Sequence, residues 1–117
     1  MSNLQDVGSN DFRGEVLESG TPVLADFWAD WCGPCHLVAR EIESLAEEMD
    51  RHVKFVKINI DQEPGIAEQY GVRSVPTLIV FEGGRETSRL VGAHPKLIIK
   101  TMLPPSAVQA ADRASSE

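Results

Sequence analysis

The apolar positions of the chain fall into two kinds of pattern, short unbroken runs and longer stripes. Val23-Leu24-Ala25-Asp26-Phe27-Trp28 is apolar at every position but one and is bounded by turn residues. So short and continuous a run reads as a strand buried on both faces. The next pattern is helical. Val38, Ile42, Leu45 and Met49 recur at spacings of four, three and four, while Arg40, Glu43, Glu47 and Glu48 lie largely off that stripe. This predicts a long helix over about residues 34–49. Val53–Ile58 reads as a second strand, Pro64–Tyr70 as a short helix ended by Gly71, and Thr77–Phe81 as a third strand. Gly83-Gly84 predicts a hairpin into a strand around Thr87–Val91, and a last helix follows over about Pro95–Leu103. Upstream, Ser9-Asn10-Asp11 is a helix-start signal for a short helix through about Glu18, with a turn at Gly20.

Strand, crossover helix and strand in succession imply a parallel pair, and the glycine hairpin adds an antiparallel edge. The expected class is therefore α/β, a mixed central sheet with helices on both faces. The ends differ from the middle. Residues 1–10 are too polar to predict a firm strand, and from Pro104 onward two prolines and a single valine predict a mostly disordered tail over 104–117. One domain over 1–103 is what remains.

Composition narrows the function classes. At 117 residues the chain is long enough to bury a core without staples. Its formal charge of −7, from 18 acidic against 11 basic residues, repels phosphate backbones and anionic lipid. Nucleic acid and membrane surfaces are thus excluded as expected partners, and a basic-patched protein is favoured. The first eight residues carry no basic, apolar leader pattern, so cytoplasmic residence is the expectation. Nothing in the pattern demands more than a monomer.

The two cysteines, Cys32 and Cys35, stand in Ala29-Asp30-Trp31-Cys32-Gly33-Pro34-Cys35-His36, where the first strand hands over to the long helix. A structural staple closing so short a loop is worth only about 2 kcal/mol on chain entropy, and a cytosolic chain with its own core gains little from it. A zinc site needs two further ligands, and His36, His52 and His94 form no spaced pair that supplies them. A redox pair explains more. Pro34 suits the first turn of a helix, which sets Cys32 just before it, facing unpaired N–H groups and the positive end of the dipole. A thiolate is stabilised there, while Cys35, one turn along, is expected to be more buried. That asymmetry suits attack by Cys32 and resolution by Cys35.

Phe27-Trp28-Ala29-Asp30-Trp31-Cys32-Gly33-Pro34-Cys35 resembles the active-site segment of the thioredoxin family almost letter for letter. The likeness continues in Lys57-Ile58-Asn59-Ile60-Asp61, in Tyr70-Gly71-Val72-Arg73-Ser74-Val75-Pro76-Thr77 and in Val91-Gly92-Ala93, covering roughly residues 9–103. The resemblance implies the thioredoxin fold and a general protein-disulfide reductase, with disulfide-containing client proteins as substrates. The electron source it implies is thioredoxin reductase, so NADPH and FAD belong to that partner and no cofactor or metal is expected on this chain. It gives Asp26 the task of exchanging the Cys35 proton, with a pKa raised by burial, and Lys57 the place of its charge partner. It makes Pro76 a cis proline against the cysteines and has the Val75 backbone pair with an extended client segment. Trp31, Gly33, Pro34, Val75, Gly92 and Ala93 then form a small apolar contact surface around Cys32, with Trp28 packed beneath.

Two residues depart from the family pattern. Arg40 stands where relatives often carry a kinking proline, which predicts a straighter helix. His36 stands where a lysine is common and reads first as a solvated side chain, with exchange that depends on pH between about 5 and 8 as the alternative. Neither departure replaces Cys32, Cys35, Asp26 or Pro76. The reading from another class is a non-catalytic binding module, a thioredoxin-fold scaffold subunit in which the reactivity of Cys32 is incidental.

Overall fold

The structure, a computed structural model, describes residues 4–115, so the expectations for residues 1–3 and 116–117 lie outside the described residues. Five strands form one sheet in the order β1-β3-β2-β4-β5. They are β1 (Gln5–Asp6), β2 (Val23–Trp28), β3 (Lys54–Asn59), β4 (Thr77–Glu82) and β5 (Arg85–Val91). β1 and β2 run parallel to β3, whereas β4 is antiparallel to β2 and β5 antiparallel to β4. The mixed sheet has the predicted layout, and the apolar run Val23–Trp28 is its central strand.

Alternation along the strands divides the core in two. Leu24, Phe55, Leu78 and Val80 face the layer built by α1 (Gly33–Met49), α3 (Lys96–Thr101) and α4 (Pro105–Ser115). Val23, Ala25, Phe27, Val56, Ile58, Ile79 and Phe81 face the other way, onto Phe12, Val16 and α2 (Pro64–Gln69). The predicted stripe of α1 is what it buries, since Val38, Ile42, Leu45 and Met49 are all enclosed. With Arg40 in place of a proline, α1 runs unbroken over its 17 residues.

Two segments differ from expectation. The first helical segment is a wide π-type turn over Arg13–Leu17, in which the Glu18 N–H reaches back to the Arg13 carbonyl. Its start is held by the Gly8 carbonyl, which accepts from both Asp11 and Phe12 N–H, and no side-chain cap is made. The second is the tail. Instead of a disordered stretch from Pro104, the chain forms the helix α4, and Ala107 and Ala111 are buried against Leu103 and Ile99. Pro105 opens this helix at the position where a proline's missing N–H costs nothing. Ala107, Val108 and Ala111 then supply a narrow apolar stripe that packs on α1.

Candidate active site

Cys32 and Cys35 meet at the C-terminal end of β2, where the chain turns into α1. They are joined as a disulfide with their Cα atoms 5.3 Å apart. Cys32 is the residue that caps α1: its backbone is extended (φ −90°, ψ 105°), and its Sγ accepts the Cys35 N–H at 3.2 Å. Pro34 lies in the first turn, where its ring suits the helix. An N–H donor and the positive end of a 17-residue helix thus face the sulfur that carries charge when the bond is open. Cys35 lies deeper, 1% exposed against 4% for Cys32.

The pair sits in a small apolar cluster with Ala29, Trp28, Ile60 and Val75. Val75 precedes a cis peptide bond to Pro76, and the Pro76 carbonyl accepts the Gly92 N–H at 2.9 Å. That bond ties the loop carrying Gly92 and Ala93 to the loop carrying Val75. Gly92 has φ +94°, a conformation that side chains oppose, so the glycine is required by the turn itself. Trp31 stands out into solvent at 69% exposure, held by its indole N–H, which donates to Asp61 Oδ2 at 2.9 Å.

Asp26 lies on the sheet face that α1 covers, two residues before Trp28, and is 1% exposed. Its Oδ1 has no hydrogen-bond partner among the described residues. Burial pushes its carboxyl up to about 7, against a smaller downward pull from Lys57. Lys57 is its direct neighbour in register on β3, but the ammonium is placed elsewhere, 4.9 Å over the Trp28 ring and 3.8 Å from Asp6. Lys57 therefore acts on Asp26 through its field, without an ion pair. His36 is tethered too: its Nε2–H donates to the Asp30 carbonyl at 2.9 Å, and its ring meets Trp28 edge-on at 6.3 Å.

Trp28 and Val75 gather on the cysteines at this end of the sheet, and Pro76 and Gly92 are tied to each other by one backbone bond, whereas Asp26 and Lys57 sit in mid-strand on β2 and β3 and Arg40 stands farther along α1. Three neighbours of the site went unassigned. Asp61 orients Trp31, Asn59 accepts the Asp61 and Gln62 N–H groups and so shapes that loop, and Ile60 packs on the cysteines. Their signal was the polar-apolar-polar run Asn59-Ile60-Asp61 where β3 ends and the following turn begins. No group of three or more potential metal ligands gathers among the described residues. A cleft of about 670 Å³ lies between Phe12 and α2, and neither cysteine lines it. The sulfur chemistry belongs instead to an open surface that a protein segment can lie across.

The comparisons with known proteins agree with this geometry. The family model described as Thioredoxin matches residues 3–104. The chain is 46% identical to Thioredoxin 1 of Nostoc sp. over 103 residues, which is 88% of this chain and 96% of that protein. It is 49% identical to Thioredoxin 1 of Synechococcus elongatus over 92 residues, covering 79% and 86%. Against the chloroplastic M-type thioredoxin of Chlamydomonas reinhardtii the identity is 46% over 93 residues, covering 80% of this chain and 66% of that one. With its Cys32–Cys35 pair capping the helix after the central strand, and with relatives this similar along most of its length, the chain belongs to the thioredoxin family.

Proposed function

We propose that the protein is a general reductant of protein disulfides, itself returned to the dithiol form by a thioredoxin reductase in the cytoplasm. The observation that carries this reading is the capping position of Cys32, whose Sγ accepts the Cys35 N–H at 3.2 Å; Cys35 and Asp26 are each buried. In the dithiol form, the Cys32 thiolate attacks one sulfur of a client disulfide. A Cys32–client bond forms, the client S–S bond breaks, and the first client thiolate leaves and takes a proton. Cys35 then gives its proton to the Asp26 carboxylate and attacks Cys32 Sγ. The Cys32–client bond breaks, and the second client thiolate departs and takes up the proton that Asp26 has just accepted. The client has gained two electrons and two protons, and the Cys32–Cys35 disulfide remains. Asp26 suits the proton step because a carboxyl held near 7 can both take and return a proton near neutral pH.

Around the sulfur, Trp31, Gly33, Pro34, Ala93 and Gly92 offer the contact surface, and the Val75 backbone next to Pro76 offers strand-type hydrogen bonds to an extended client segment. NADPH and FAD are held by the reductase, and this chain carries electrons only in its sulfurs.

The test is the equilibrium reduction potential of the pair, read by fluorescence because Trp28 packs on the cysteines. The expected value lies below a glutathione poise of about −220 to −260 mV. A value well above that poise makes the protein an oxidant or isomerase. Absence of any reversible transition leaves only a binding module.

A further inference from the structure

Beside the cysteine pair, α1 and the loop after β5 enclose a second feature. A depression of about 340 Å³ is lined by Leu37, Val38, Ala93 and Pro95, with Arg40, Glu41 and His94 at its polar edge. Leu37 is 63% exposed and stands about one turn along α1 from the cysteines. Leu37, Arg40 and Glu41 lie on one face of α1 by their spacing of three and four. Two of the three polar groups are already engaged. Glu41 Oε1 accepts the Lys96 N–H at 2.9 Å, and His94 Nε2–H donates to the Val91 carbonyl at 3.0 Å. Arg40 is different: it makes no ion pair among the described residues, although the chain carries 18 acidic side chains.

The depression is continuous with the client surface. Ala93 forms one wall, and it follows Gly92, whose N–H is bonded to the Pro76 carbonyl. Ala93 thus belongs both to the proposed client surface and to the depression that Leu37 and Arg40 line. We infer that this depression is a client-selection subsite, taking an extended segment that sets an apolar side chain on Leu37 and an acidic one against Arg40. The inference rests on the disulfide-reductase reading. Its basis is charge complementarity. The molecule as a whole repels acidic segments, and at the edge of the depression Arg40 is the cation without an ion pair among the described residues, so it is the point at which an acidic side chain can pair. Arg40 here is a specificity-determining residue, and the exchange chemistry itself stays with the cysteines.

The experiment uses synthetic peptides, each closed by one disulfide and extended by a flanking segment, identical except for Glu or Lys in the flank. Their kcat/KM values are compared for the wild type, Arg40→Gln, Arg40→Glu and Arg51→Glu. Arg51 is an exposed residue just beyond the far end of α1, so its variant matches the net charge of Arg40→Glu. The wild type is expected to favour the Glu peptides by about two- to five-fold, the range of an exposed ion pair. Arg40→Gln removes that preference, Arg40→Glu inverts it, and Arg51→Glu leaves it in place. At about 1 M salt, where screening acts within ~3 Å, the preference fades. Equal rates for both peptides in the wild type, or a preference that survives in Arg40→Glu, would overturn the subsite. A small aromatic disulfide with no flank separates the two readings. All four proteins reduce it alike if exchange is intact, and a wild type that cannot reduce it loses the parent function instead.

Discussion

At the scale of single residues, Asp26 is where the sequence works against its own stability. A carboxyl on the central strand, 1% exposed and with one oxygen unpartnered, is held neutral up to about pH 7, whereas the unfolded chain releases that proton near its ordinary 3.8. Between those two values the folded protein binds a proton that the unfolded chain has already lost. Stability therefore falls as pH rises through that window, and the loss is complete above the folded value. A carboxyl raised from 3.8 to about 7 weakens the fold by something on the order of 4 kcal/mol once it is ionised. Replacing Asp26 with Asn removes the ionisation and keeps the shape. In urea unfolding, Asp26→Asn is expected to be several kcal/mol more stable than wild type at about pH 8 and nearly equal to it at about pH 4. The same variant should slow release of the mixed disulfide and flatten the pH dependence of that step near 7. A variant that matches wild type at both pH values would mean that Asp26 carries no raised pKa in the folded protein. The run Val23–Trp28 by itself left Asp26 equally free to reach solvent at the strand's end, and it was the resemblance to the thioredoxin family that pointed to burial. The placement of Lys57 was not legible in the sequence. Strand register brought it opposite Asp26, but the choice of Asp6 and the Trp28 face depends on β1, too polar for its pairing to be read from the sequence.

At the scale of elements, what was legible followed from strong periodicity. β2, α1, β3 and β4 each present a long or dense apolar pattern, so their burial required no knowledge of partners. α4 escaped because alanine is a weak apolar signal and because two prolines suggest an ending. Here Pro105 instead begins a helix, and the surface that Ala107 and Ala111 cover is supplied by Leu103, Ile99 and α1. Charges reinforce the dock: Lys100 lies 3.8 Å from Glu48 of α1 and 3.5 Å from Asp112 of α4, and Lys96 pairs with Glu48 as well. The π-type turn at Arg13–Leu17 was illegible for a different reason. Its start is held by the Gly8 backbone, so the Ser9-Asn10-Asp11 signal marked the place and not the geometry. If α4 is part of the core, Ala111→Asp should lower unfolding free energy by about 1–3 kcal/mol, the cost of burying an unmatched polar group. Its rate with a small disulfide should stay at the wild-type value, because α4 lies away from the cysteines. An unchanged urea midpoint would show that α4 does not contribute to the cooperative fold.

At the scale of the whole molecule, the fold itself sets part of the redox drive, through two effects that oppose each other. Closing the Cys32–Cys35 loop, with a sequence separation of 3, restricts the unfolded chain and favours the oxidised fold by about 2 kcal/mol. The helix capped by Cys32 favours the reduced fold instead, because its first turn stabilises a thiolate; a charge there is worth about 0.3–1 kcal/mol. Chain entropy is the stronger of the two. The oxidised protein should therefore unfold at higher urea than the reduced one, by about 1–2 kcal/mol at neutral pH. Linkage converts that difference into a potential. A fold that prefers the disulfide makes the pair more reducing than the same cysteines in the unfolded chain, here by about 20–40 mV for a two-electron couple. Unfolding curves for the two forms and the potential of the native pair must then agree, because they close one thermodynamic cycle. If the reduced form were the more stable, thiolate stabilisation would outweigh the loop, and the native pair would be more oxidising than the same cysteines in the unfolded chain, which counts against the reductase reading.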